Sequence, residues 1–438
     1  MTTTPFVEPP GDGLHRIIGL DIARFVAIAG MMATHVWLYA DLLESETNWG
    51  SALFEGRASA LFAVLAGVGA VLSTRSPLRR RRRASARWTL LGRGVALVAL
   101  GLTVSLVPNP ILVILVYYGV MFWFLALVLT WPTWALVLTG ALVAVVTPVL
   151  AYLLGVVADI QGPEGYNISW SSFGEPLVVL RSLLLTGTYP ALIWLAYGIA
   201  GLLAGRALVA ARDSEALQNV CIRIAGIGVA IWLGGIALAG LTQYVFGGAH
   251  AMARDLGVAD EMARAMLDHS GAGRPLPDSV YSLLAAGPHH GTTLDLMVTS
   301  GFALTAIGVL VYVGTVLPPV ARRILTPVTA AGAAPLTVYT AHVLFVGIVT
   351  LVMLGKPYSQ LTYQEYMSID DPWFLSSAGF LGANIVLALL IGGLLAALGR
   401  RGPLETFVTW VGRRFGRLGG RDTDAGAERN TTNPSVVG

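Results

Sequence analysis

The sequence predicts an all-α, polytopic membrane helix bundle of about ten transmembrane helices with both termini cytoplasmic. Three observations predict it. Hydrophobic residues make up 55% of the 438 and charged residues only 12%, a balance that points to lipid as the second solvent. Apolar runs of about 18 or more residues, enough to cross a bilayer as a helix, recur along almost the whole chain. Basic residues collect on alternate connecting loops, as membrane orientation requires. The 51 glycines suit helices that approach closely through small side chains. A single cysteine, Cys221, excludes an intramolecular disulfide.

The spans follow in order. The first, 17–38, lies in the run "RIIGLDIARFVAIAGMMATHVW" that starts at Arg16; it is too long for a signal-peptide core, so no cleavable signal is expected. The second, 52–74, contains "FEGRASALFAVLAGVGA", and the third, 88–108, contains "LGRGVAL" and ends at Pro108. The fourth, 111–130, lies between Pro110 and Pro132, where a missing backbone donor costs least. The fifth, 134–157, carries an internal Pro148, expected to kink it or to start a broken segment; the sixth, 189–210, opens at Pro190; the seventh covers 220–246. The eighth, 292–316, follows "GPHHGTT". The ninth, 328–354, starts after Pro327 and holds Pro335, which is expected to kink it or to start a broken segment. The tenth, 374–398, follows Pro372.

Around this membrane domain, 16–398, the chain divides into a cytoplasmic segment at 1–15, an interfacial amphipathic helix at 399–418 and a disordered tail at 419–438. In the amphipathic stretch Leu404, Phe407, Trp410 and Val411 alternate with Arg413, Arg414 and Arg417; the tail has no apolar period. Two connections are long, 158–188 and 247–291, and long loops often cover or build a site. No internal repeat is visible, which weighs against an inverted-repeat transporter.

Orientation follows from the basic side chains. The termini and the loops on their side hold 20 Lys and Arg, seven of them between residues 75 and 87, and the opposite loops hold five. By the positive-inside rule the arginine-rich side is cytoplasmic. The run "LRRRRRAS" determines topology and attracts anionic lipid; the same charge suits a polyphosphorylated ligand such as coenzyme A.

Ionisable residues inside the spans are the functional candidates, because a charge at mid-bilayer costs about 2.5–3.5 kcal/mol on insertion scales. Asp21 and Arg24 are three apart and can pair. His35, eleven residues after Arg24, returns to within about 20° of the same face, roughly 16 Å further along the axis. One face of the first helix thus carries an ion pair near its cytoplasmic end and an imidazole near its outer end. Glu55 and Arg57 open the second helix at about the depth of His35, and Arg93 sits between two glycines near the cytoplasmic end of the third. His289, His290 and Asp295 fall at the outer mouth of the eighth helix, in a pattern better suited to acid/base work than to zinc, and solvated loop histidines are an equal reading. His342, inside the ninth, reads as an interhelical hydrogen-bond partner. No GxxxxGK[ST], no GxGxxG entering a helix and no GxSxG is present. Nucleotide hydrolysis, dinucleotide binding and nucleophile-elbow hydrolysis are unsupported, and neither a metal nor a nucleic-acid partner is expected.

The stretch "RIIGLDIARFVAIAGMMATH" resembles the opening helix of the bacterial membrane family related to heparan-alpha-glucosaminide N-acetyltransferase. Its Asp, Arg and His spacing is also similar to the acyltransferase type three membrane family. "FEGRASALFAVLAGVG", "GTTLDLMVTSGFALTAIG", "GAAPLTVYTAHVLF" and "RRGPLETFVTWVGRR" are similar to later segments of the first family. Phe25 departs from it, standing where a small residue is usual, and the 247–291 insertion has no counterpart. The resemblance implies an acyltransferase of the plasma (inner) membrane that takes an acetyl or other acyl group from cytoplasmic acyl-CoA to an extracytoplasmic glycan or lipid acceptor. A homodimer is among the assemblies left open. It assigns His35 as base or transient acyl carrier, Arg57 or His290 to the oxyanion, and Asp295 to orienting a histidine. Asp21, Arg24 and Arg93 then hold the cytoplasmic vestibule for acetyl-CoA. The rival reading is a transporter of a small or lipid-linked envelope metabolite, with the same polar stripe as its path; a sensory or assembly protein is a third.

Overall fold

The structure, a computed structural model, describes residues 17–44, 49–162, 164–165, 167–211, 213–362, 364–365, 368–369 and 373–430. The expected 1–15 segment and the last part of the expected tail, 431–438, lie outside the described residues. The described residues are overwhelmingly helical, and an isolated bridge between Glu164 and Gly187 is the only β-type pairing among them.

Each expected span has a helix. They are α1 (Ile18–Glu44), α2 (Arg57–Arg79), α3 (Arg83–Val104), α4 (Leu115–Val128), α5 (Thr133–Val157), α6 (Ala191–Ala210), α7 (Ser214–Gly240), α8 (Thr293–Val316), α9 (Pro335–Leu354) and α10 (Ala378–Ala397). Among the described residues nine are long and apolar enough to cross a membrane; α4, at 14 residues, is the short one. It still runs through the bundle: the Tyr118 hydroxyl at its start donates to Ser59 O of α2, and Leu129 O after its end accepts from Arg206 of α6. Eleven of its residues are buried, so protein rather than lipid satisfies its surroundings and its length need not match the hydrocarbon thickness.

Proline placement explains two local features. Pro335 breaks the ninth span as expected, separating Thr326–Ala333 from α9. Pro148 leaves α5 continuous; it removes the donor to Ala144 O, and that carbonyl accepts instead from the Thr293 hydroxyl at 2.9 Å. Helices α2 and α6 meet at Gly67 and Gly201, where a Cβ on either residue would land on the partner's backbone. The central helix is α1, which touches α2, α8, α9 and α10. By contrast, α5 turns a broad apolar face outward: Trp134 is 71% exposed, and Leu138, Leu142 and Val145 about half exposed.

The amphipathic C-terminal stretch forms α11 (Pro403–Asn430), continuing beyond the boundary expected at 418. It packs antiparallel along α3, with Gly412 against Arg93, Gly416 against Thr89 and Gly419 against Trp88, which buries Val408 and leaves Phe407 and Trp410 40% and 62% exposed. The long 247–291 connection contains helices Gly248–Leu256 and Asp260–Asp268 around a small core of Met252, Leu267 and neighbouring alanines.

Candidate active site

Three helices bring together a chain of polar side chains near the end of the bundle opposite the arginine-rich loops. His35 Nδ1 of α1 lies 3.0 Å from His342 Nε2 of α9, with the rings nearly parallel at 7°. His342 Nδ1 lies 2.7 Å from Asn384 Oδ1 of α10, and Asn384 Nδ2 donates to Phe380 O at 2.8 Å. The last bond sets the rest. A carbonyl only accepts, so it takes the amide NH2 of Asn384 and turns Oδ1 toward His342. His342 Nδ1 must then carry a hydrogen, which leaves Nε2 of the neutral ring as an acceptor. His35 Nδ1 donates to it, and the free lone pair of His35 falls on Nε2. Burial grades along the chain: Asn384 is 0% exposed, His342 1%, and His35 is partly accessible. The sequence reading of His342 as an interhelical hydrogen-bond partner therefore holds, and the partner is His35 itself. Asn384 was missed, since a lone Asn in an apolar run carries no spacing signal.

The 247–291 segment supplies the next histidine. Its return strand of chain is fastened by Gly271 N to Pro288 O (2.8 Å) and Gly287 N to Leu267 O (2.9 Å). It packs on Gly56, the residue before α2, whose positive φ of 65° and contact with Pro288 leave no room for a side chain. At the tip, His289 adopts φ 60°, a left-handed conformation uncommon outside glycine. This turns its ring edge-on to Tyr189 (centroids 5.6 Å) and brings it within electrostatic reach of His35. Burial and the adjacent His290 push the His289 pKa down to about 4, so at neutral pH the ring is an uncharged donor and acceptor.

The other outer candidates sit differently from their assigned roles. His290 faces the backbone of the insertion: Nε2 donates to His269 O at 3.0 Å, and burial lowers its pKa against that bond. His289, rather than His290, is the ring beside His35. Asp295 bonds no imidazole in the described contacts; its carboxylate accepts Gly291 N at 2.9 Å while its own N–H is capped by the Thr292 hydroxyl at 3.1 Å. It orients the histidine turn through the backbone. Arg57 donates to Leu53 O at 3.3 Å and lies 5.9 Å from the Phe302 ring centroid, at the flank of this site.

At the opposite end Asp21 and Arg24 form the expected pair at 2.8 Å, with Asp21 buried. Arg93 joins them, within electrostatic reach of Arg24 and of Glu405 on α11 and 6.0 Å from the Phe122 ring centroid. Glu405 is an addition the sequence reading did not make. Its Oε1 accepts Leu336 N (2.6 Å) and Thr337 N (3.1 Å), capping α9, whose own N-cap residue, Ala334, has no side chain able to do so. Arg24 and Arg93 keep part of their surface exposed, while Asp21 is buried beside Arg24.

The outer cluster can do one kind of chemistry well. It places an acceptor nitrogen of fixed tautomer on a partly open imidazole, beside a second neutral imidazole able to donate, inside low-dielectric surroundings. No curated protein matches the chain. A sequence model of the family described as "Heparan-alpha-glucosaminide N-acetyltransferase, catalytic" matches residues 16–239, which carry α1 to α7 with Asp21, Arg24, His35, Arg57 and Arg93, while His289, His342 and Asn384 lie beyond the match. From this match over half its length, with His35 and the Asp21–Arg24 pair inside it, the chain belongs to the heparan-alpha-glucosaminide N-acetyltransferase catalytic family, a family of membrane acetyltransferases.

Proposed function

We propose that the protein moves an acetyl or other acyl group from cytoplasmic acyl-CoA to a sugar or cell-envelope acceptor on the far side of the plasma membrane, with His35 as general base. The observation that carries the reading is the bond chain Phe380–Asn384–His342–His35, which leaves Nε2 of His35 unprotonated. Nε2 takes the proton of an acceptor hydroxyl or amine as that atom attacks the thioester carbonyl. The new acyl–oxygen or acyl–nitrogen bond forms, the carbon–sulfur bond breaks, and the leaving thiolate recovers the proton from His35 as the free thiol. While His35 is charged, His342 Nε2 accepts its Nδ1–H and stabilises the imidazolium. The His289 N–H, with Arg57 at the flank, faces the developing oxyanion. Asp21, Arg24 and Arg93 hold the donor's phosphate-bearing arm at the arginine-rich end, which the basic-residue bias assigns to the cytoplasm.

The test uses the full chain in liposomes with labelled acetyl-CoA outside and an amino sugar inside. Label in the sugar, lost in His35→Ala with coenzyme binding kept, supports the reading. No transfer, hydrolysis or coenzyme binding, together with counterflow of a substrate, would overturn it in favour of transport.

A further inference from the structure

A second polar site lies at the arginine-rich end, away from the histidines. Between the end of α2, the start of α3, the end of α4 and the end of α6 is a cleft of about 700 Å³, lined by Leu78, Arg81, Arg83, Leu129, Thr130 and Arg206. Three guanidiniums from different elements converge there, and no carboxylate lines the cleft. None of the three forms an ion pair among the described residues. Two features hold the wall in shape: Arg206 donates to Leu129 O (2.7 Å) and Trp131 O (2.8 Å), and Arg87 just behind donates to the Thr130 hydroxyl (2.8 Å). Arg81 is held at φ 57° by the tight turn between α2 and α3. Three cationic side chains on one cleft without a carboxylate favour an anion as occupant. Planar guanidiniums suit phosphate oxygens in particular.

We infer that this cleft seats the headgroup of an anionic phospholipid from the adjoining leaflet. The position decides between a lipid and a water-soluble phosphate. The cleft opens beside the first turn of α5, where Trp131 and Trp134 are 40% and 71% exposed, the placement of tryptophan at a membrane–water boundary. From there an uninterrupted exposed apolar ridge, Trp134, Leu138, Leu142, Val145, Val149 and Leu153, runs along α5 at helical spacing toward the opposite face. A headgroup in the cleft has its acyl chains delivered onto that ridge; a soluble phosphate compound leaves the ridge unused. The floor of Leu78 and Leu129 receives the glycerol end. Basic pockets between transmembrane helices bind anionic headgroups in this way. The seat joins α2–α3, α4 and α6 at one point, so an occupant staples the bundle without touching the histidine chain.

Native mass spectrometry of the detergent-solubilised full chain, titrated with phosphatidylglycerol, cardiolipin or phosphatidylcholine, tests it. The expected result is retention of one phosphatidylglycerol or cardiolipin per chain and none of phosphatidylcholine. Each of Arg83→Gln and Arg206→Gln should weaken retention roughly fivefold, the effect of one arginine at a charged surface. Arg206 also binds two carbonyls and its loss can unfold the region, so the exposed Arg83 and the double variant Arg81→Gln/Arg83→Gln carry the test, with melting temperature measured without added lipid as the check on folding. Unchanged retention in the folded double variant overturns the inference. So does displacement of the lipid by coenzyme A at one equivalent, which would give the cleft to the soluble donor.

Discussion

The two ends of the bundle both place ionisable groups where lipid would otherwise be, and they satisfy them by opposite means. At the histidine end the groups are neutral and chained, and each hydrogen bond dictates the next, from Phe380 O through Asn384 and His342 to His35. At the arginine end the groups are charged: some are paired or capping, as Asp21–Arg24 and Glu405 on α9 are, and some, around the Arg206 cleft, have no counter-charge among the described residues. A buried neutral chain fixes the protonation state of an atom; a cluster of cations selects the charge of what approaches. The proposed function assigns proton transfer to the first end and recognition of phosphate to the second.

Removing His35 should have the largest effect at the histidine end. His35→Ala should lower transfer by about 10²–10⁴-fold, the range for a general base, while acyl-CoA affinity measured on the same preparation stays within twofold, because the proposal holds the donor phosphates at the far end. The next largest effect belongs to the members behind it. Asn384→Leu leaves the His342 Nδ1–H without an acceptor, at about 1–3 kcal/mol or roughly five- to 150-fold in rate; kcat should fall with KM for the donor unchanged, and Asn384→Asp, which still accepts, should retain much more activity.

Acid sharpens the same contrast. The folded-state pKa of His289 lies below the ordinary histidine value, so the unfolded chain binds protons first as pH falls. The stability this ring contributes is present above about pH 6.5 and is lost progressively toward pH 4, by at most about 3 kcal/mol. Melting temperatures across that window should drop in the wild type and drop less in His289→Asn. The smallest effect expected is at the other end: Glu405→Gln keeps an acceptor on α9 but removes the negative charge from its N-terminus, lowering stability by about 0.5–1 kcal/mol with transfer intact, as thermal melts and initial rates would report.

Much of this was legible in the sequence, and the misses have physical reasons. Ten spans followed from hydropathy because backbone satisfaction in lipid leaves helices as the economical choice. The shared face of Asp21, Arg24 and His35 followed from helical periodicity alone. Periodicity acts within one helix, however, and the partner of His35 comes from a helix some 300 residues away, so His342 could be read as a hydrogen-bond partner without the sequence saying of what. Choosing between His289 and His290 required the backbone: a single left-handed residue points the first ring toward His35 and leaves the second to the His269 carbonyl. Asp295 falls with the histidines at the mouth of the eighth helix in the sequence, yet one helical turn puts its carboxylate over the Gly291 N–H rather than on a ring.

The protonation state of the His35 ring decides whether it can act as the base. Solid-state 15N NMR of histidine-labelled protein in lipid, with the His35 signals assigned by comparison with His35→Gln, reads it directly at neutral pH. His35 is expected to be protonated on Nδ1 with a bare Nε2, and to lose that preference in Asn384→Leu. A His35 ring protonated on Nε2 in the wild type would contradict it.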